Sequence, residues 1–139
     1  MSLEHKTDAL GNNALIETSL VVEITEDTAL AYEDSGNIFL VGTDALTITL
    51  PETKKGVKYT FINTGADENN NIILSPNASD AFFGSIANAA ADRVASGVDD
   101  KNFVNTKATS NRGDRVTVVG DGDAGWYILE GMGIWASEA

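Results

Sequence analysis

Residues 46–50 read Leu-Thr-Ile-Thr-Leu, a strict alternation of apolar and polar side chains closed by Pro51, and no other feature limits the possible folds as much. Successive side chains of a strand point to opposite faces, so a period of two places Leu46, Ile48 and Leu50 on one face that can be buried. Proline cannot donate to a ladder, which ends the strand there. The same period runs through Leu20-Val22-Ile24 and through Val57-Tyr59-Phe61, the latter alternating with Lys58 and Thr60. Shorter runs at Ile38–Val41, Ile72–Leu74, Asn102–Asn105, Val116–Val119, Trp126–Leu129 and Ile134-Trp135 read as further strands. Clusters rich in Gly, Asn and Asp separate them, among them Asp34-Ser35-Gly36-Asn37, Gly42-Thr43-Asp44 and the polar loop Asn63–Asn71. These residues tolerate left-handed backbone and cap their own turns. Short strands broken by turn signals at intervals of about 8–12 residues mark a sandwich or barrel.

The expectation is an all-β fold: a single-domain β-sandwich or flattened barrel, jelly-roll-like, over residues 20–139, preceded by an N-terminal arm over residues 1–19. Its core should hold Leu46, Ile48, Leu50, Tyr59, Phe61, Val116, Val118, Trp126 and Ile128, each on the apolar phase of a strand. The arm shows little periodicity and carries a turn cluster at Gly11-Asn12-Asn13. It reads either as a segment that orders on a partner or as a frayed end. The alanine-rich stretch Ser85–Ser96 fits less well: Ile86, Ala89, Ala90 and Val94 have helical spacing, which predicts a short helix or an excursion on the surface. No repeat of fixed period is present.

A chain of 139 residues is the length of one ordinary domain. It has no cysteine, which excludes a disulfide framework and thiolate metal sites. Acidic residues outnumber basic ones 21 to 9, for a net charge of −12. Nucleic-acid binders cluster Lys and Arg to neutralise phosphates. Here the only adjacent basic pair is Lys54-Lys55, so no nucleic-acid partner is expected. The acidity reads first as a contribution to solubility. No membrane partner is expected either: apolar runs such as Ile38–Val41 fall far short of the ~20 residues of a spanning helix. The N-terminus lacks the layout of a signal peptide.

The chemistry of catalysis is sparse. His5 is the sole histidine and there is no thiol, so a base near neutral pH would have to be a carboxylate or lysine of shifted pKa. A converging set of catalytic groups is not found, and the chain is expected not to be an enzyme and to need no cofactor. Gly120-Asp121-Gly122-Asp123 invites a calcium reading, but the EF-hand order of acids and a distal Glu is missing, and a hairpin turn accounts for it better. Arg112-Gly113-Asp114 spells an integrin-binding tripeptide, yet it stands directly before a strand and reads as its entry turn. Asn77-Ala78-Ser79 matches a glycosylation sequon and is taken as a turn. Trp126 alternates with Ile128 and belongs in the core, whereas Trp135, after Gly131 and Gly133 near the end of the chain, suits either the core or a contact with a neighbouring subunit.

Two stretches carry a resemblance. The first is Leu46–Leu50-Pro51, then Gly56, Tyr59, Phe61 and Asn63-Thr64-Gly65. The second is Gly113-Asp114, Val116, Val118, Gly120-Asp121-Gly122, Trp126-Tyr127-Ile128 and Gly133-Ile134-Trp135. In outline this resembles β-domains of tailed-bacteriophage virion proteins, including head-decoration (cement) proteins and tail-fibre or spike segments. It implies a non-enzymatic module, often trimeric, attached to a capsid or fibre, and brings no catalytic residues with it. The expected role is capsid decoration on the phage head surface, as a homotrimer docked on the major capsid protein or another virion protein. Leu10, Leu15 and Ile16 of the arm and Trp135 are the expected partner or oligomer contacts. A receptor- or glycan-binding module of a tail fibre or spike is the alternative, and exposed aromatic residues on loops would favour it.

Overall fold

The computed structural model describes residues 2–7, 13–18, 20–87 and 93–138, with the backbone alone described in 2–7, 13–18 and 93–94. The fold is an all-β sandwich. The chain opens with β1 (Ser2–Thr7) and β2 (Asn13–Thr18), an antiparallel pair running from Ser2 beside Thr18 to Thr7 beside Asn13. Residues 1–19, read as an arm of little periodicity, thus hold two paired strands that flank the Gly-Asn turn cluster, as the strands of a hairpin do. They form a sheet of their own.

The next strands are β3 (Val21–Ile24), β4 (Thr28–Ala29), β5 (Ile38–Val41), β6 (Leu46–Thr49), β7 (Lys58–Asn63) and β8 (Ile72–Ser75). They alternate between two sheets. β3, β5 and β7 lie side by side and parallel in one; β4, β6 and β8 do the same in the other. The chain thus winds as a coil, each turn laying one strand on each sheet. Val21 lies beside Ile38 and Ile38 beside Thr60, so successive coils differ in length. Unequal coils leave no repeat of fixed period in the sequence.

From β9 (Ala81–Phe83) onward the winding changes. β10 (Ser85–Ile86) and β11 (Arg93–Val94) form a small antiparallel pair, so the helical spacing noted there does not make a helix in the described residues: Ile86 is buried against β14 instead. Ala89 and Ala90 lie outside the described residues. β12 (Phe103–Asn105) then runs antiparallel beside β8, and β13 (Arg115–Gly120) antiparallel beside β7. β14 (Gly125–Met132) pairs with β13, and β15 (Trp135–Ser137) with β12. The final orders are β3-β5-β7-β13-β14-β9 and β15-β12-β8-β6-β4. Both sheets end in edge strands, so the flattened-barrel alternative does not hold, because a barrel closes its sheet. Jelly rolls are antiparallel Greek keys, and the parallel coil of β3 to β8 departs from that pattern.

The two sheets meet in one core of aromatic and branched side chains. Eight of the nine expected core residues are buried there, and Ile128 packs against it half-buried. Phe39 stacks on Phe61 at 5.6 Å, and Tyr59 meets Trp126 at 5.5 Å. Tyr59 donates its hydroxyl to the Ala31 carbonyl at 2.7 Å, which satisfies the one polar atom it brings inside. A second aromatic group joins Phe82, Phe103 and Trp135, whose rings lie 5.5 and 5.7 Å from that of Phe103. Trp135 is fully buried and its Nε1–H donates to the Met132 carbonyl at 3.2 Å. Its expected role as a contact with a neighbouring subunit is therefore corrected. Gly133, at φ +98°, turns the chain back so that the indole enters this chain's own core.

Replacing Trp135 with alanine should cost about 3–5 kcal/mol of unfolding free energy, as large-to-small changes in a core do. Denaturant unfolding followed by fluorescence of Trp126 measures it, and an unchanged midpoint would contradict the packing described.

Candidate functional surface

No pocket opens among the described residues, and no group of three or more His, Asp or Glu side chains there is placed to hold a metal. No described helix is long and apolar enough to cross a membrane. The features that remain are surfaces, and one is distinctive. On β14 the ladder with β13 slips: Thr117 pairs with Glu130, but Val118 pairs with Ile128. Leu129 is the extra residue of a β-bulge, which bends a strand and re-aims a side chain. Leu129 is 58% exposed, with Tyr127 at 45% and Met132 at 53% beside it on the same strand.

The strip is rigidly backed. Trp126 alternates with Tyr127 and is buried beneath the sheet, which leaves the Tyr127 ring outside. That ring stacks on Phe83 of the neighbouring β9 at 5.1 Å and 25°. Arg115 pairs through Nε with both carboxylate oxygens of Glu130 at 3.2 Å, and its Nη1 lies 3.7 Å from the Met132 sulfur. Behind the strand, Gly131 leaves room for Ile86: a Cβ there would come 2.7 Å from its Cδ1. The strip can therefore offer apolar and aromatic area with a charged pair at its border. Aromatic residues, Met and Arg are the side chains enriched where proteins meet.

The acidic turns are spent on structure. Asp121 Oδ1 accepts from the amides of Asp123 (2.8 Å) and Gly125 (3.0 Å), and these bonds hold its carboxyl below the usual range. The Gly-Asp-Gly-Asp stretch is thus the turn joining β13 to β14, as expected. Asp114 is 4% exposed and accepts from Asn105 Nδ2 (3.0 Å) and the Asn111 amide (2.9 Å). With its carboxylate inside, Arg112-Gly113-Asp114 cannot present an integrin-type motif. Asn77 Oδ1 accepts from Ser79, which makes that stretch a turn. Asp44, salt-bridged to Lys107 at 2.8 Å, is held below the usual range by that bond.

Of the expected contact residues, Leu10 lies outside the described residues. Leu15 and Ile16 sit on β2, opposite His5 and Glu4, with side chains outside the description. Trp135 is in the core. The sequence reading did not single out Tyr127, Leu129 or Met132. Tyr127 could have been found from its phase opposite Trp126, but the bulge at Leu129 leaves no mark in composition. Neither a protein-family model nor a curated protein sequence matches this chain.

Asp80 is a buried carboxylate whose pKa is raised. It is 1% exposed, and its Oδ2 accepts the Thr53 amide at 2.7 Å. Burial raises its pKa, opposed by the Thr53 bond, and the charges of Glu52, Asp121 and Asp99 raise it further. A raised folded-state pKa means that the folded chain holds this proton more tightly than the unfolded chain. Stability from this group is then greatest below the unfolded value and falls as pH rises through the folded value. Asp80→Asn keeps an acceptor for the Thr53 amide and removes that titration. The variant should gain stability over the native chain as pH rises from about 4 through the folded value, as read from urea midpoints at each pH; a difference that stays constant at every pH above about 3 would contradict it.

Proposed function

We propose that this chain is a non-enzymatic bacteriophage virion structural protein: a capsid decoration (cement) protein that docks on the outer surface of the head and stabilises it. The observation that carries the reading is the bulge-presented strip of Tyr127, Leu129 and Met132. It is an apolar patch fixed on a stiff sheet, and patches of this kind mark contacts with other proteins. The major capsid protein, or another virion protein, is the partner in this reading, and the protein itself works as a homo-oligomer, a trimer by the resemblance set out above. Many weak contacts of this kind gain strength through the number of copies on one particle. The paired strands β1 and β2 supply a second element that can bury surface on a neighbour. No catalytic residue, cofactor or nucleic acid enters the role.

One observation favours a second reading. The stacked pair Phe83 and Tyr127 is an outward-facing aromatic surface, and aromatic faces also receive sugars. A receptor- or glycan-binding module of a tail fibre or spike would use them.

Sedimentation with purified phage heads separates the two. Leu129→Asp, on a half-exposed position, should leave the fold intact and reduce head occupancy at least about tenfold, the effect of losing one well-packed contact. Deletion of residues 1–19 should leave the sandwich folded and reduce occupancy further. Undiminished occupancy in both variants would remove the strip and the β1–β2 segment as the attachment. Failure of the native chain to bind heads would remove the decoration reading, and retention on host-surface glycans without any binding to heads would install the second.

A further inference from the structure

The two edges of the six-stranded sheet are treated differently. β9 is covered: the amides of Ala95, Gly97 and Asp100 donate to the carbonyls of Gly84, Phe82 and Asp80 along its outer side, at 2.8, 3.1 and 3.0 Å. At the opposite edge no described strand pairs with the outer side of β3. This edge, Val-Val-Glu-Ile, carries no lysine, no proline and no bulge, the devices that usually blunt one. Leu20 and Val21 are 50% and 55% exposed there.

We propose that a second copy of this chain docks on the open edge of β3, antiparallel and related by a two-fold axis through Val22. The backbone dictates which groups are on offer. The Ile38 amide donates to the Leu20 carbonyl at 2.9 Å, so Leu20, Val22 and Ile24 turn their polar groups towards β5. The amides and carbonyls of Val21 and Glu23 consequently face outward. An axis through Val22 sets Val21 opposite Glu23 of the other copy, and such an opposed pair exchanges both its hydrogen bonds. Every outward group of the strand then has a partner.

The side chains select the same register. Ile24 is buried and Val22 half-buried on the core side, while Val21 and Glu23 face solvent. The axis through Val22 keeps core side against core side, with Leu20 meeting Ile24. It also lays Val21 along the stem of Glu23. An axis through Glu23 would oppose two carboxylates, which is destabilising. An axis between residues would set core-facing side chains against solvent-facing ones. The strand is thus complementary to itself about Val22, which is why the occupant is a copy of this chain. A strand this short buries little area, so the pair is weak. The charge of −12 on each copy opposes it, so added salt tightens it. The contact makes pairs, whereas a trimer would use another surface, and it does not rest on the virion reading.

The absence of native cysteine makes the test direct. Opposed residues of a non-hydrogen-bonded pair lie with Cα atoms about 4.5 Å apart, within disulfide reach. Val22→Cys should form a covalent dimer under mild oxidation at least about tenfold faster than Val21→Cys, whose sulfurs would be out of range. In sedimentation, the native chain should approach dimer mass at high micromolar concentration, more so in high salt. Val21→Pro should stay monomeric with an unchanged circular dichroism spectrum, because it removes only an outward amide. Equal crosslinking of the two cysteine variants would overturn the proposal. So would a native chain monomeric to about 1 mM at any salt concentration, or an assembly whose mass Val21→Pro leaves unchanged across that range.

Discussion

A short chain of buried amides holds the two sheets in register. Asn63, at the end of β7, donates through Nδ2 to Oδ1 of Asn105 on β12 at 2.8 Å, and Asn105 donates in turn to Asp114 at 3.0 Å and to the Ile134 carbonyl at 3.1 Å. The first two residues belong to opposite sheets, and the last two lie at the entrances to β13 and β15. One cluster thus fixes where the coil stops and where the antiparallel layers begin. Asn63, Asn105 and Asp114 are at most 4% exposed, so the cluster is dry, and a dry polar group left without a partner is costly. Apolar packing alone would allow the sheets to slide. Directed hydrogen bonds do not, and that gives the aromatic core a single arrangement. Gly65 and Gly133 belong to the same design: a Cβ on either would fall on the side chain of Asn70 or Asp114.

Much of this was readable from the residues. The alternation at Leu46–Leu50 and Val57–Phe61 gave strands, faces and core positions, because a half-buried strand cannot conceal its period. The path between strands was not readable. Ile38-Phe39-Leu40-Val41 and Ile72-Ile73-Leu74 are unbroken apolar runs, as parallel strands tend to have, but so short that neighbours joined by turns look equally reasonable. Ala81-Phe82-Phe83 went unnoticed as a strand, although Phe82 is buried, because three residues show no period. The hairpin of β1 and β2 was missed because its strands are mostly polar. Trp135 was ambiguous because a residue near the end of a chain can close its own sheet or a neighbour's, and only the turn at Gly133 decides. The surface strip was half readable: Tyr127 follows from phase, whereas Leu129 depends on a slip between two strands that no local sequence records.

The coil also sets an order of events during synthesis. Among themselves β3 to β8 pair with strands of the preceding or following turn, so these pairings can form as soon as the strands leave the ribosome. Their closing partners, β12 and β13, come from the far end of the chain. Until those arrive, β7 and β8 stand as raw edges of a half-built stack, able to recruit the same strands from another nascent chain. Synthesis is therefore a stage at which unpaired strand edges expose this molecule to misassembly.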